Sequence, residues 1–153
     1  MANLLETYKK FKKFPGGNYL FNKAVGFSAP FFSTIKPNII EFSEEKCVVR
    51  MKDRRAIRNH MGTVNAGAMC TIAELTAGMA LDATISKHLR WIPKKMTVAY
   101  LEKAKGTLEA HCEFNQNIIQ EGDIVLPVLL KNTDNITVFT ADITFYISKK
   151  PQR

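Results

Sequence analysis

The chain has 153 residues, 46% apolar and 24% charged, which suits one domain with a single sizeable core and excludes intrinsic disorder. Its 22 Lys and Arg against 14 Asp and Glu leave a formal net charge of +8, which favours anionic partners without choosing among nucleic acid, a membrane surface and a phosphorylated small molecule. No run of about 18 apolar residues and no signal-peptide pattern is present, so a cytoplasmic protein without stable membrane insertion is expected.

Residues 3–13 read as a short helix with Leu4, Leu5, Tyr8 and Phe11 on one face and Lys9, Lys10, Lys12 and Lys13 mostly on the other. A solvated basic face is the plainer reading of those lysines; contact with a membrane or with acids is the alternative. Pro15-Gly16-Gly17 stops the helix. A second helix is predicted over residues 18–28, with Asn18 as its N-cap and its end near Gly26, and Pro30 closes the section. The aromatics here, Tyr19, Phe21, Phe27, Phe31 and Phe32, are expected mainly as core, with an acyl-pocket wall as the competing reading.

Strands are predicted over 31–42 and 45–53, paired as a hairpin, with Pro37 marking an edge or an irregularity. A long helix of small apolar residues follows the loop Arg58 to Asn65. From Asn65 to Ile85 its only carboxylates are Glu74 and Asp82. Asp82 is expected exposed near the helix end. Glu74 falls mid-helix, where burial of an acid is costly unless it is paired or functional.

Pro93 is expected to end that section, and four strands follow at about 94–104, 106–114, 123–132 and 136–147. The last alternates most clearly, with Phe139, Ala141, Ile143, Phe145 and Ile147 on one face. Gly106, Glu121-Gly122 and Thr133-Asp134-Asn135 supply turns, and Pro127 predicts a bulge or kink. The order predicts an α+β domain over 1–153, a six-stranded antiparallel sheet around one long helix, with a helical extension over about 1–28. Cys47, Cys70 and Cys112 lack CxxC spacing and read as reduced, mostly buried thiols. The scattered His60, His88 and His111 predict no metal site.

One constellation carries a family resemblance. Asn59, then Asn65-Ala66-Gly67, then Glu74 nine residues after Asn65 resembles the pattern of hotdog-fold thioesterases of the phenylacetyl-CoA type and their thioesterase-like relatives. Those proteins carry Asn, a short loop, His-Gly-Gly and an acid nine residues after the His. The resemblance covers about Tyr19 to Ile147. Here Asn65 replaces the His, Ala66 a Gly, and Glu the Asp. Asn65 still offers a capping oxygen, and Ala66 still offers a backbone N–H.

The resemblance implies the hotdog fold and an acyl-CoA thioesterase needing no cofactor, coenzyme A being part of the substrate. The first N–H groups of the helix, those of Ala66 or Gly67, would polarise the thioester carbonyl. Glu74 would activate water or attack directly, and Asn59 would orient the water or the carboxylate. Ala66 and Glu74 lie roughly 12 Å apart along a helix, too far to meet one carbonyl within one chain. A homodimer, alone or as a dimer of dimers, with two shared sites is therefore expected. Lys52, Arg54, Arg55 and Arg58, with Lys94, Lys95, Lys103 and Lys105, are candidate contacts for coenzyme A phosphates, each a weak candidate because most surface cations do nothing specific.

The competing reading is a non-catalytic hotdog module that binds acyl-CoA or acyl chains. A dehydratase is disfavoured for want of a His with a Pro-Gly pairing where the helix begins. Nucleic-acid binding is not expected, since no aromatic-basic surface motif or reading helix accompanies the charge.

Overall fold

In the computed structural model, which describes residues 4–151, the chain is organised around a 19-residue helix, α3 (Ala66–Thr84). Its start is set by Asn65, whose side-chain oxygen accepts the Gly67 N–H at 2.7 Å. Most of the helix is buried on several sides, so its hydroxyl residues turn inward on the backbone: Thr71 donates to the Gly67 carbonyl and Thr76 to that of Ile72, each at 2.7 Å.

Six strands wrap this helix: β1 (Asn38–Ser43), β2 (Lys46–Met51), β3 (Leu89–Tyr100), β4 (Leu108–Glu113), β5 (Gly122–Lys131) and β6 (Thr137–Lys149). They form one antiparallel sheet in the order β1-β2-β4-β5-β6-β3, with β1 and β3 at its edges. This is the six-stranded sheet around one helix that the element order predicted, and the hotdog arrangement that the family resemblance implied. The face of β6 carrying Phe139, Ala141, Ile143, Phe145 and Ile147 is buried, as its alternation required. It packs with the inner faces of β4 and β5 against Ile72, Ala73, Ala77 and Leu81 of α3.

Two helices precede the sheet, α1 (Leu4–Lys12) and α2 (Gly17–Ser28). Tyr8, Phe21 and Phe42 join them to β1 through edge and stacked ring contacts with centroids 4.9 to 6.1 Å apart. Asn18 is not the N-cap of α2. Gly16, at φ 77°, takes that place without a side-chain bond, and Asn18 lies inside the helix donating to the Asn38 side chain at 3.2 Å. Asn22 also donates to Asn38, at 2.8 Å, and accepts from the Ile39 N–H, at 2.9 Å, so polar side chains tie α2 to the edge of the sheet.

Several strand boundaries depart from expectation. Residues 31–37 are not strand: Pro30–Ile35 forms a 3-10 helix begun by Pro30 and held by the Ser33 and Thr34 hydroxyls, which donate to the Pro30 and Phe31 carbonyls. Local hydroxyl bonding outcompetes a ladder there, and β1 begins only after Pro37. Pro93 does not precede β3 but lies within it, tolerated because β3 is an edge strand whose register shifts between Pro93 and Lys95. Pro127 produces no bulge in β5; it pairs regularly with Asp142, just beyond the point where the β4–β5 ladder ends at His111 and Leu129. Of the aromatics expected as core, Phe21 is buried, whereas Tyr19, Phe27 and Phe31 are exposed.

Candidate active site

One stripe of α3 escapes full burial. Ala66 and Gly67 are exposed and Cys70 and Glu74 are half-buried, and the stripe ends one turn further on at Gly78, which is buried. Residues four apart share a helix face, so these line one side. That side looks toward β3 at two places. At one, Trp91 lies over Gly78, where a Cβ would come within 3.0 Å of the indole. Trp91 also meets Phe145 edge-on at 5.1 Å and donates its indole N–H to Asp82 at 2.7 Å. At the other, the Tyr100 hydroxyl meets Cys70 while its ring meets Phe139 at 5.3 Å. Burial, and then Cys70, push the Tyr100 phenol above its ordinary range.

Glu74 sits on the stripe between these contacts. Among the described residues it forms no ion pair and accepts no side-chain hydrogen bond. The Arg or backbone donor that would make it a structural acid is therefore not found within the described chain. Asp82 is exposed at the helix end, as expected; partial desolvation by its surroundings still raises its carboxyl, while the hydrogen bond from Trp91 and the charge of Lys150 act in the opposite direction.

The helix start is delivered by a closed loop. Asn59 organises it: its side-chain oxygen accepts the N–H groups of Met61 at 3.0 Å and Thr63 at 3.1 Å, and its amide donates to the Thr63 hydroxyl at 2.9 Å. Gly62, at φ 74°, closes the turn. The Val64 N–H then bonds to the Ala104 carbonyl and that of Asn65 to Ile57, each at 2.8 Å, which fixes where α3 begins. Asn59 thus holds the loop through contacts within the loop itself. Of the two nominated backbone donors, the Gly67 N–H is taken by Asn65, whereas that of Ala66 has no partner among the described residues.

The basic candidates divide. Arg58 makes a two-point bond to Asp53, at 2.8 and 2.9 Å, and holds that carboxyl below its ordinary range. Arg54 donates to the Thr34 carbonyl, and Lys94 pairs with Asp123 at 2.8 Å. Lys52, Arg55, Lys95, Lys103 and Lys105 form no ion pair among the described residues. Lys52 borders a depression of about 470 Å³ on the outer face of the sheet, together with Arg50, Glu109 and His111, away from α3. Burial pushes His111 below its ordinary range there. Burial also raises two of the thiols, Cys47, beside Cys112 in the β2–β4 register, and Cys112 itself, pushed up to about 12. Among the described residues no cluster of His, Cys, Asp and Glu could hold a metal ion, and no helix is long and apolar enough to cross a membrane.

Sequence reasoning missed Tyr100 and Trp91, which bracket Glu74. The alternation Met96, Val98, Tyr100 was the available signal, since these residues share the inner face of β3, with Met96 and Val98 half-buried and Tyr100 exposed.

A curved antiparallel sheet closed on one long helix, with an accessible helix start and a lone acid two turns on, defines a hotdog-fold protein. The chain belongs to the family described as a domain of unknown function (DUF4442), whose model matches residues 17–147. A solved structural-genomics protein, APC5556, is 36% identical, with a TM-score of 0.86 over 97% of this chain and 100% of its own. A protein of unknown function from Pseudomonas aeruginosa, PA5026, described as a probable thioesterase, is 18% identical, with a TM-score of 0.78 over 90% of this chain and 97% of its own. A hypothetical thioesterase from Streptococcus pneumoniae, solved with coenzyme A, is 18% identical, with a TM-score of 0.65 over 76% of this chain and 91% of its own. No protein with a curated description matches the chain.

Proposed function

We propose that the protein is an acyl-CoA thioesterase working as a homodimer, with each site assembled from two copies of α3. The observation that carries the reading is Glu74: a half-buried acid on a largely buried helix, without a partner among the described residues, on the side that looks toward edge strand β3. A carboxylate in that setting is free to take a proton or to attack. Ala66 supplies what Glu74 lacks, an accessible N–H at the positive end of the helix dipole. Roughly 12 Å of helix separates the two within one chain, so the Ala66 N–H of one copy works with the partner's Glu74.

The thioester carbonyl accepts from the Ala66 N–H. Glu74 either removes a proton from water, whose hydroxide adds to the carbonyl carbon, or adds to that carbon itself to give an anhydride that water opens. In both routes the C–S bond breaks and the coenzyme A thiolate leaves and is protonated. Asn59 acts by holding the loop that aims the helix start. The coenzyme A bound to the fold relative from Streptococcus pneumoniae supports an acyl-CoA ligand.

The test is release of free thiol from a panel of acyl-CoAs. Glu74→Ala is expected to lower turnover about 10²- to 10⁴-fold. Unchanged activity removes Glu74 from the mechanism, and saturable acyl-CoA binding without turnover by the wild type replaces the enzyme with a binding module. A stable monomer in size-exclusion chromatography with light scattering sinks the shared site.

A further inference from the structure

We propose that the outward face of α1 and α2 docks the protein on an anionic membrane surface. The inward face of α2 buries Gly17, Phe21 and Val25, spaced by four. Its opposite face presents Tyr19, Leu20, Lys23 and Phe27, and Phe27 is 89% exposed. Phe14 in the preceding turn and Phe31 in the following 3-10 helix, each 69% exposed, add large apolar side chains left in water just before and just after α2 in the chain. Large apolar side chains left in water along one helix face mark a docking surface.

The charge around that face says what docks. Residues 1–40 hold six lysines and one acid, Glu6, so about a quarter of the chain carries five of its eight net positive charges. Lys9, Lys10 and Lys12 lie on the exposed side of α1, with the exposed Lys13 just past its end, and α1 packs against α2 with its own apolar side turned to the core. Lys23 lies over the Tyr19 ring at 5.5 Å, in the middle of the apolar face. Aromatic and aliphatic side chains ringed by lysines suit the boundary between anionic headgroups and acyl chains, where rings enter and ammonium groups stay at headgroup level. A second copy of this chain would set two such lysine groups against each other. Nucleic acid would meet the charge but would not need Leu20 and Phe27 turned out together. No described helix is long and apolar enough to span, so the contact lies in the plane of the surface.

The experiment is flotation of the full chain with vesicles of phosphatidylcholine alone or mixed with phosphatidylglycerol. Binding is expected to the anionic vesicles, to weaken as salt rises, and to fall about fivefold for each of Lys12→Gln and Lys13→Gln. Phe27→Trp is expected to shift its emission to the blue on those vesicles, and the pair Leu20→Ser with Phe27→Ser is expected to weaken flotation while far-ultraviolet circular dichroism stays native. Failure to float at low salt overturns the proposal. Flotation that ignores the two serine substitutions and leaves the Phe27→Trp emission unmoved is bare adsorption of a basic protein and also overturns it. Tighter binding to duplex DNA or single-stranded RNA through the same residues reassigns the face. Flotation and thioester hydrolysis are read separately, so either reading fails alone.

Discussion

Replacing Ala66 by Pro removes one atom group from the proposed site, the N–H of the first helical residue, and leaves the helix intact. Proline is favoured at that position because its nitrogen has no helical partner to lose. It requires an extended residue before it, and Asn65 already has φ −65° and ψ 140°. Ala66 is exposed, so the ring has room. Stability is therefore expected to move by less than about 1 kcal/mol, a shift in melting temperature under about 4 °C. Loss of one oxyanion donor is worth about 2.7–4 kcal/mol in the transition state, so turnover of a short acyl-CoA is expected to fall about 10²- to 10³-fold. Mixing Ala66→Pro with Glu74→Gln subunits then separates sharing from a site within one chain. Each mixed dimer joins the intact Ala66 N–H of one chain to the intact Glu74 of the other, and an equal mixture is expected to recover about a quarter of the wild-type sites. Full activity of Ala66→Pro with a native melt refutes the donor, and an inactive mixture of exchanging subunits refutes the shared site.

Two further expectations concern the frame around the site. Gly17→Ala would place a Cβ 1.6 Å from the Phe11 carbonyl oxygen, so α1 and α2 must part. Thermal denaturation is expected to show a loss of at least about 2 kcal/mol, a fall of about 4 °C or more, and a melt within a degree of wild type contradicts the packing of the two helices. Arg58 holds the Asp53 carboxyl below its ordinary value of 3.8. The folded state therefore prefers the charged form, and the stabilisation is full above that ordinary value and is lost as pH falls through the lower folded one. The stability gap between wild type and Asp53→Asn should close across that acid window in denaturant titrations; a gap constant with pH contradicts the role of the pair.

The parts of the fold legible in the sequence are those where one pattern acts alone. In β6 the strict alternation from Phe139 to Ile147 corresponds residue by residue to a buried face, and Asn65 before a run of small residues marks the start of α3. Boundaries depart from the sequence pattern where a local bond competes with the ladder, as the hydroxyls of Ser33 and Thr34 do, or where sheet order decides whether a proline fits. Nothing in the neighbours of Pro93 says that β3 lies at an edge; that follows from its pairing with β6, about fifty residues away in the chain. Glu74 stood out because a lone carboxylate is conspicuous in an apolar helix. Tyr100 and Cys70 did not, since their meeting depends on how β3 crosses the helix.

Both free sides of the sheet carry an interruption, β1 between Ile39 and Glu41 and β3 between Pro93 and Lys95. An uninterrupted free edge is a template on which copies stack without end. Here the outer side of β3 is divided into two short runs, Leu89–Pro93 and Lys95–Tyr100, with a proline and two lysines at the break. The proline takes a backbone donor out of that edge and the lysines set charge beside it, so the stacking of copies along β3 is opposed at its midpoint.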